Sequence, residues 1–467
     1  MAKAKTPKAT EHEAKTGASS ASGQNLHTAG KPAPATGATS AKPGDLVLID
    51  CNLGEQKGIL LHSANSDTIS IKLSSGYNIG IKSENIKKIS LLETGKPPSS
   101  AAQVHAVSVP KKDFLSILGC GGTIASRIDY RTGAVDAATS PQELVNAFAH
   151  LSKKPLRAKS LFSISSEDTT HIHWQKIAQA AADEIKDGAQ GVVITQGTDT
   201  MSFSSAALSF MLQKLPCPVI FTGSQRSSDR SSSDAALNMQ AALLGADSDL
   251  SGVFICMHEN LSDDSCLLHF GAKVRKMHTS RRDAFRSINC QPAARVLPLQ
   301  GKFEKISPLI QPRNTGAFSL DIKINPNVAL IYTYPGIKPE MIGSLSKYDG
   351  VVIAGTGLGH VPSNTSSDKD AVPVLKEVAA LISSGIPVVI APQTIYGRVN
   401  FNVYSSGRVL AEAGAIGHLC DFTPEAAYVK LMWVLGREKK MERVREMMEK
   451  NIAGEISARS ELVDFDF

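Results

Sequence analysis

The sequence predicts an α/β protein in which a parallel sheet with crossover helices follows a small all-β unit. Two observations carry this reading. Beyond Lys112, unbroken Val/Ile-rich runs alternate with amphipathic stretches, the pattern of strands covered on both faces. Between Pro43 and Leu92, short alternating apolar runs are separated by Gly, Asn, Asp and Ser clusters.

Taken in order, Met1 to Lys42 holds Ala, Thr, Ser, Gly, Pro and Lys, with Leu26 its single large aliphatic residue after Met1. Such a stretch buries too little apolar surface to offset chain entropy, so residues 1–42 are expected to be a disordered tail. Its lysines read first as solvated charges and second as contacts for RNA. Residues 43–95 are expected to form a small barrel of about five short strands. Gly95 to Lys112 has linker composition.

The strands expected beyond the linker are Phe114 to Leu118, Gly191 to Thr195, Val219 to Thr222, Gly252 to Met257, Val328 to Thr333, Gly350 to Ala354 and Pro387 to Ala391. They divide into a larger α/β domain, 112–310, and a smaller one, 325–440, with a seam within Lys302 to Asn327. Residues 441–467 are expected to be a helical tail, and Pro424 to Lys450 reads as one or two amphipathic helices with a charged face.

Composition narrows the class. The chain has 467 residues and a net charge of +6, mild for this length and no argument by itself for nucleic-acid binding. Its seven cysteines are odd in number and lack CxxC spacing, which disfavours a disulfide framework and a zinc site. No apolar stretch reaches the roughly 18 residues a membrane span needs, so a cytoplasmic protein is expected.

Ligands of doubly wound sheets collect at the carboxyl ends of strands. There the sequence places Gly121-Gly122-Thr123, Gln196-Gly197-Thr198-Asp199-Thr200, Gly223-Ser224-Gln225-Arg226 and Gly355 to His360. Glycines permit a sharp turn and close approach of a ligand, and Thr or Ser offers an oxygen that attacks or hydrogen-bonds. Neither GxGxxG nor GxxxxGK[ST] is present at the first strand. Each Gly-Thr turn alone also reads as a strand-to-helix connection with the Thr as N-cap. His171 and His173 read as capping or surface histidines, and no GxSxG elbow occurs.

The motifs GGTIAS (Gly121 to Ser126), ISSEDTTHIHW (Ile164 to Trp174), QGTDTM (Gln196 to Met201) and GAKVRKMHTS (Gly271 to Ser280) decide between these readings. With them, the chain from about Phe114 to Gly436 resembles the L-asparaginase/glutaminase family of threonine amidohydrolases. The resemblance implies an asparaginase-like two-domain fold with Thr123 as nucleophile. Thr198, Asp199 and Lys276 would form a second triad in which Lys276 accepts a proton through Thr198. Tyr130 would match the lid tyrosine, Ser166 and Glu167 the groups holding the substrate's α-carboxylate and α-amino group, and Ser224 a position whose backbone touches the amide. Cys120 stands where the family usually has a small hydroxyl residue.

Pro43 to Leu92, with LSSGYNIGIK, and Tyr396 to Gly436 resemble the D subunits of archaeal glutamyl-tRNA(Gln) amidotransferases. That resemblance implies a glutaminase step feeding ammonia from glutamine or asparagine to an E subunit (GatE), which binds Glu-tRNA(Gln) and uses ATP and Mg. It implies no cofactor in this chain and a homodimer within a heterotetramer. Two other readings stay open: a free-standing L-asparaginase, and a tRNA-binding module on a degenerate catalytic domain.

Overall fold

The computed structural model describes residues 41–52, 54–61, 67–73, 78–94, 112–122, 127–128, 135–136, 152–226, 233–313 and 316–460. The stretch before Ala41, Thr123, Tyr130 and residues 461–467 lie outside them.

Strands β1 (Leu46–Cys51), β2 (Gly54–Leu60), β3 (Thr68–Leu73), β4 (Asn78–Lys82) and β5 (Ile86–Glu93) form an antiparallel sheet ordered β4-β3-β2-β1-β5. Every second residue of β1 is buried, so Val47, Ile49 and Cys51 meet Ile71 and Ile81 in a small core. No ladder joins β4 to β5 among the described residues.

The large sheet begins at β6 (Phe114–Gly119), every residue of which is buried. It continues through β7 (Leu156–Ser160), β8 (Ala189–Thr195), β9 (Pro218–Thr222) and β10 (Leu250–His258), all parallel in the spatial order β10-β9-β8-β6-β7. Helices α1 (His171–Lys186), α2 (Met201–Met211) and α3 (Ala235–Ala246) cover it. The parallel core follows the Val/Ile runs, each side chain contributing about 1.5–3 kcal/mol when fully buried.

Three antiparallel strands extend this core past β10: β11 (Cys266–Phe270), then β14 (Ala294–Leu297) and β15 (Lys302–Lys305). β15 thus belongs to the large sheet, and the seam expected from Lys302 begins after it. A separate hairpin, β12 (Val274–Lys276) with β13 (Phe285–Ser287), leaves the sheet between β11 and β14.

The smaller sheet is parallel, β16 (Val328–Tyr332), β17 (Gly350–Gly355) and β18 (Val388–Pro392), with helices α4 (Leu375–Ser383) and α5 (Ser405–Ala413). Two helices follow, α6 (Pro424–Leu435) and α7 (Met441–Glu449). Here the expectation of an amphipathic face fails for α6, where every residue but Tyr428 is buried. Its charged residues are paired inside the protein. The fully enclosed Lys430 Nζ donates to Met448 O at 2.7 Å and Lys450 O at 2.6 Å, and meets Glu455 at 2.5 Å.

Removing one partner of a buried pair strands the other charge. Glu455→Ala is expected to cost about 3–5 kcal/mol, read as a lower urea midpoint than wild type.

Candidate active site

Glycine contacts draw the loops at the carboxyl ends of β6, β7, β8 and β9 together. Gly121 and Gly122 both have positive φ, +84° and +87°. A Cβ on Gly121 would lie 2.6 Å from Ile164 O, and one on Gly122 would lie 2.4 Å from Gly197 N. No side chain fits at either position, so these glycines set how closely the β6 turn approaches the other two loops. Thr123 follows directly and lies outside the described residues. Cys120 is fully buried, and burial pushes its thiol well up, so it packs as a small apolar group.

Beyond β8, Thr198 and Asp199 sit just ahead of α2. Lys276 ends β12, opposite Phe285. Its ammonium donates to Thr198 Oγ1 at 2.9 Å and to Asp199 Oδ1 at 2.6 Å. Thr198 is buried, whereas the Asp199 side chain is 65% exposed and faces the open site. Ser166 adjoins the same carboxylate, its hydroxyl donating to Asp199 Oδ2 at 3.4 Å, and Thr200 Oγ1 donates to Ser166 O at 2.6 Å. Glu167 is exposed beside Ser166. Ser224 is buried after β9, and its hydroxyl and the Gln196 amide have no hydrogen-bond partner among the described residues. Thr198, Asp199, Lys276 and Ser166 are thus in direct contact, with Glu167 and Ser224 on adjoining loops. His173 is a capping residue, its Nδ1 accepting from Thr170 N at 3.0 Å.

Sequence reasoning missed the support beneath Ser224. The Asp234 carboxylate accepts from Gln225 N and Arg226 N, and Asn238 Nδ2 donates to both Asp234 Oδ2 and Gly223 O. His258 Nδ1 lies 2.6 Å from Asn238 Oδ1 and its Nε2 lies 3.4 Å from Asp263, which pairs with Arg282 on the loop after Lys276. The i, i+4 spacing of Asp234 and Asn238 at a helix start is the one signal the sequence offered. Beside Lys276, Lys273 is buried against Asp421 at 2.8 Å, and Arg275 meets Glu425 at 3.3 Å. Among the described residues, no group of three or more His, Cys, Asp or Glu could hold a metal ion, and no helix is long and apolar enough to cross a membrane.

A buried threonine, a lysine and an aspartate in contact at the carboxyl ends of a parallel sheet, ahead of a smaller parallel sheet, define an asparaginase-type α/β protein. The family model described as asparaginase, N-terminal, matches residues 115–307, and that of the glutaminase/asparaginase C-terminal domain matches 327–448. The GatD N-terminal domain matches residues 41–92. The D subunit of glutamyl-tRNA(Gln) amidotransferase from Pyrococcus abyssi is 47% identical, over 84% of this chain and 88% of its own length. Its counterpart in Methanothermobacter thermautotrophicus is 45% identical, over 90% of this chain and 95% of its own. The thermostable L-asparaginase from Thermococcus kodakarensis superimposes with a TM-score of 0.65 at 32% identity, covering 74% of this chain and 100% of that one. L-asparaginase I from Vibrio cholerae gives 0.62 at 28%, covering 74% and 99%. The chain belongs to the asparaginase family, in its group of glutamyl-tRNA(Gln) amidotransferase D subunits.

Close loop contacts and a paired carboxylate can each be tested. Gly122→Ala places a side chain at a positive φ against Gly197, and is expected to lower stability by about 1–3 kcal/mol in urea unfolding. At the hairpin, Arg281 holds the Asp283 carboxyl down to about 2, against desolvation and with help from Arg286. The folded value lies below the ordinary one near 4, so this stabilisation is present above about pH 4 and is lost as pH falls through about 2. Asp283→Asn should flatten the pH dependence of the urea midpoint between those limits.

Proposed function

We propose that this chain is the glutaminase subunit of a tRNA-dependent amidotransferase. The observation that carries the reading is the Lys276 ammonium in contact with Thr198 and Asp199 beside the glycine turn that leads to Thr123. In this reading the Thr123 hydroxyl attacks the side-chain amide carbon of glutamine. A C–O bond forms, the C–N bond breaks, and the nitrogen leaves as ammonia once protonated. Water then hydrolyses the ester and releases glutamate.

Acting as the neutral amine, Lys276 takes up, through Thr198, the proton shed by the attacking hydroxyl or water, and Tyr130 helps to position Thr123. Asp199 and Glu167 face the substrate ammonium while Ser166 meets its α-carboxylate. Holding both ends of the amino acid supplies the orientation a near-attack geometry requires. The Ser224 backbone lies against the amide. Asparagine, one methylene shorter, is the competing donor.

The relatives named as D subunits support the wider role. An E subunit (GatE) would activate the glutamate of Glu-tRNA(Gln) with ATP and Mg and receive the ammonia, with this chain as a homodimer within a heterotetramer in the cytoplasm. The likeness to free L-asparaginases favours the second reading, an independent amidohydrolase.

Ammonia release from glutamine by the purified chain, alone and with the E subunit, Glu-tRNA(Gln) and ATP, separates the two. A sharp rise with the partner supports the amidotransferase reading, and full activity without it supports the free enzyme. In the same assay Thr123→Ala should abolish turnover, and Lys276→Met should lower kcat by about 10²–10⁴-fold with the fold retained. Activity close to wild type in either variant would overturn the assignment.

A further inference from the structure

We propose that Glu425 and Asp421, contributed by the C-terminal part of the chain, are positioning residues for Lys276; this rests on the amidohydrolase reading above. In an extended strand alternate side chains point to opposite faces. Arg275 therefore projects from one face of β12 and Lys276 from the other, and Lys273, in the bend just before the strand, is bound on the Arg275 side by the same C-terminal segment.

Lys273 and Arg275 are both clamped. Lys273 Nζ donates to Asp421 Oδ2 at 2.8 Å, with each side chain only 2% exposed. Asp421 is itself fixed: its Oδ1 accepts from Ser457 N at 2.8 Å and its carbonyl from Asn289 Nδ2 at 2.9 Å. Arg275 Nε lies 3.3 Å from Glu425 Oε1, in the first turn of α6, where the helix dipole favours a carboxylate. Tyr332, at the end of β16, lies near both Glu425 and Arg275, whose charges act on its phenol. Across the hairpin, Arg286 opposes Arg275 and is held on Asp283 at 2.9 Å.

Two ion pairs on that side thus fix the rotation of the strand about its axis. That rotation delivers the Lys276 ammonium to Thr198 and Asp199. Neither Asp421 nor Glu425 touches the reacting atoms, so each acts through the strand. Misplacing a catalytic group by about 1 Å can cost 10²-fold in rate.

The test measures kcat and KM for ammonia release in the full chain bearing Glu425→Gln, Arg275→Gln or Arg275→Lys. Glu425→Gln and Arg275→Gln are expected to lower kcat about tenfold or more with KM within about twofold, and Arg275→Lys to recover most of the loss. Arg275 is partly exposed, so its variants carry the test if Glu425→Gln does not fold. Unchanged kcat in a folded variant, or an equal loss in Arg275→Lys, overturns the proposal.

A wild-type chain that releases no ammonia from glutamine or asparagine would defeat the functional reading instead. Hydrogen exchange of the Val274–Met277 amides then decides the positioning. Faster exchange in Glu425→Gln supports it, and unchanged protection overturns it.

Discussion

A single ammonium held between a buried hydroxyl and an exposed carboxylate is the constraint on which the site depends. Lys276 reaches Thr198 and Asp199 from a hairpin that stands outside the parallel sheet, so neither the hydroxyl nor the amine is placed by one element alone. The sheet fixes Thr198 through β8. The hairpin must be fixed separately, and it draws its anchors from residues more than a hundred positions further along the chain.

The loops around this contact use a different device. Gly121, Gly122, Gly197 and Gly223 each approach a neighbouring loop too closely for a side chain. Such contacts leave the loops little freedom to part. The Asp234–Asn238–His258 network extends the same control to the Gly223–Arg226 turn, and through Asp263 and Arg282 it reaches the loop that follows Lys276. Two sides of the site are therefore linked by hydrogen bonds among side chains that do not face the substrate.

Much of this was legible in the sequence. Every expected strand of the two α/β sheets is present with its ends displaced by at most two residues, because a run buried on both faces must be apolar throughout. The family resemblance assigned Thr198, Asp199, Lys276 and Ser166 to one site, and in the structure these four side chains are in contact. The antiparallel extension β11-β14-β15 was not read from the sequence, and its outermost strand, Lys302–Lys305, is mostly exposed and carries polar residues that read as loop. Helix α6 was misread for a related reason. Glu425 and Lys430 look like a solvent face in sequence, and only their distant partners, Arg275 and Glu455, show them to be interior charges. Long-range ion pairs leave no periodic trace.

The Lys430–Glu455 pair also imposes an order of events on synthesis. Chains fold from the N-terminus as they emerge, at about 5–20 residues per second. Helix α6, packed against both α2 and the smaller sheet, is complete twenty residues before Glu455 is made. Until then Lys430 has no countercharge, and seating it in the interior is unfavourable. Final closure of the two α/β units on one another is therefore expected to wait until the segment carrying Glu455 has left the ribosome, and a nascent chain stalled short of that point would keep this helix in need of a chaperone.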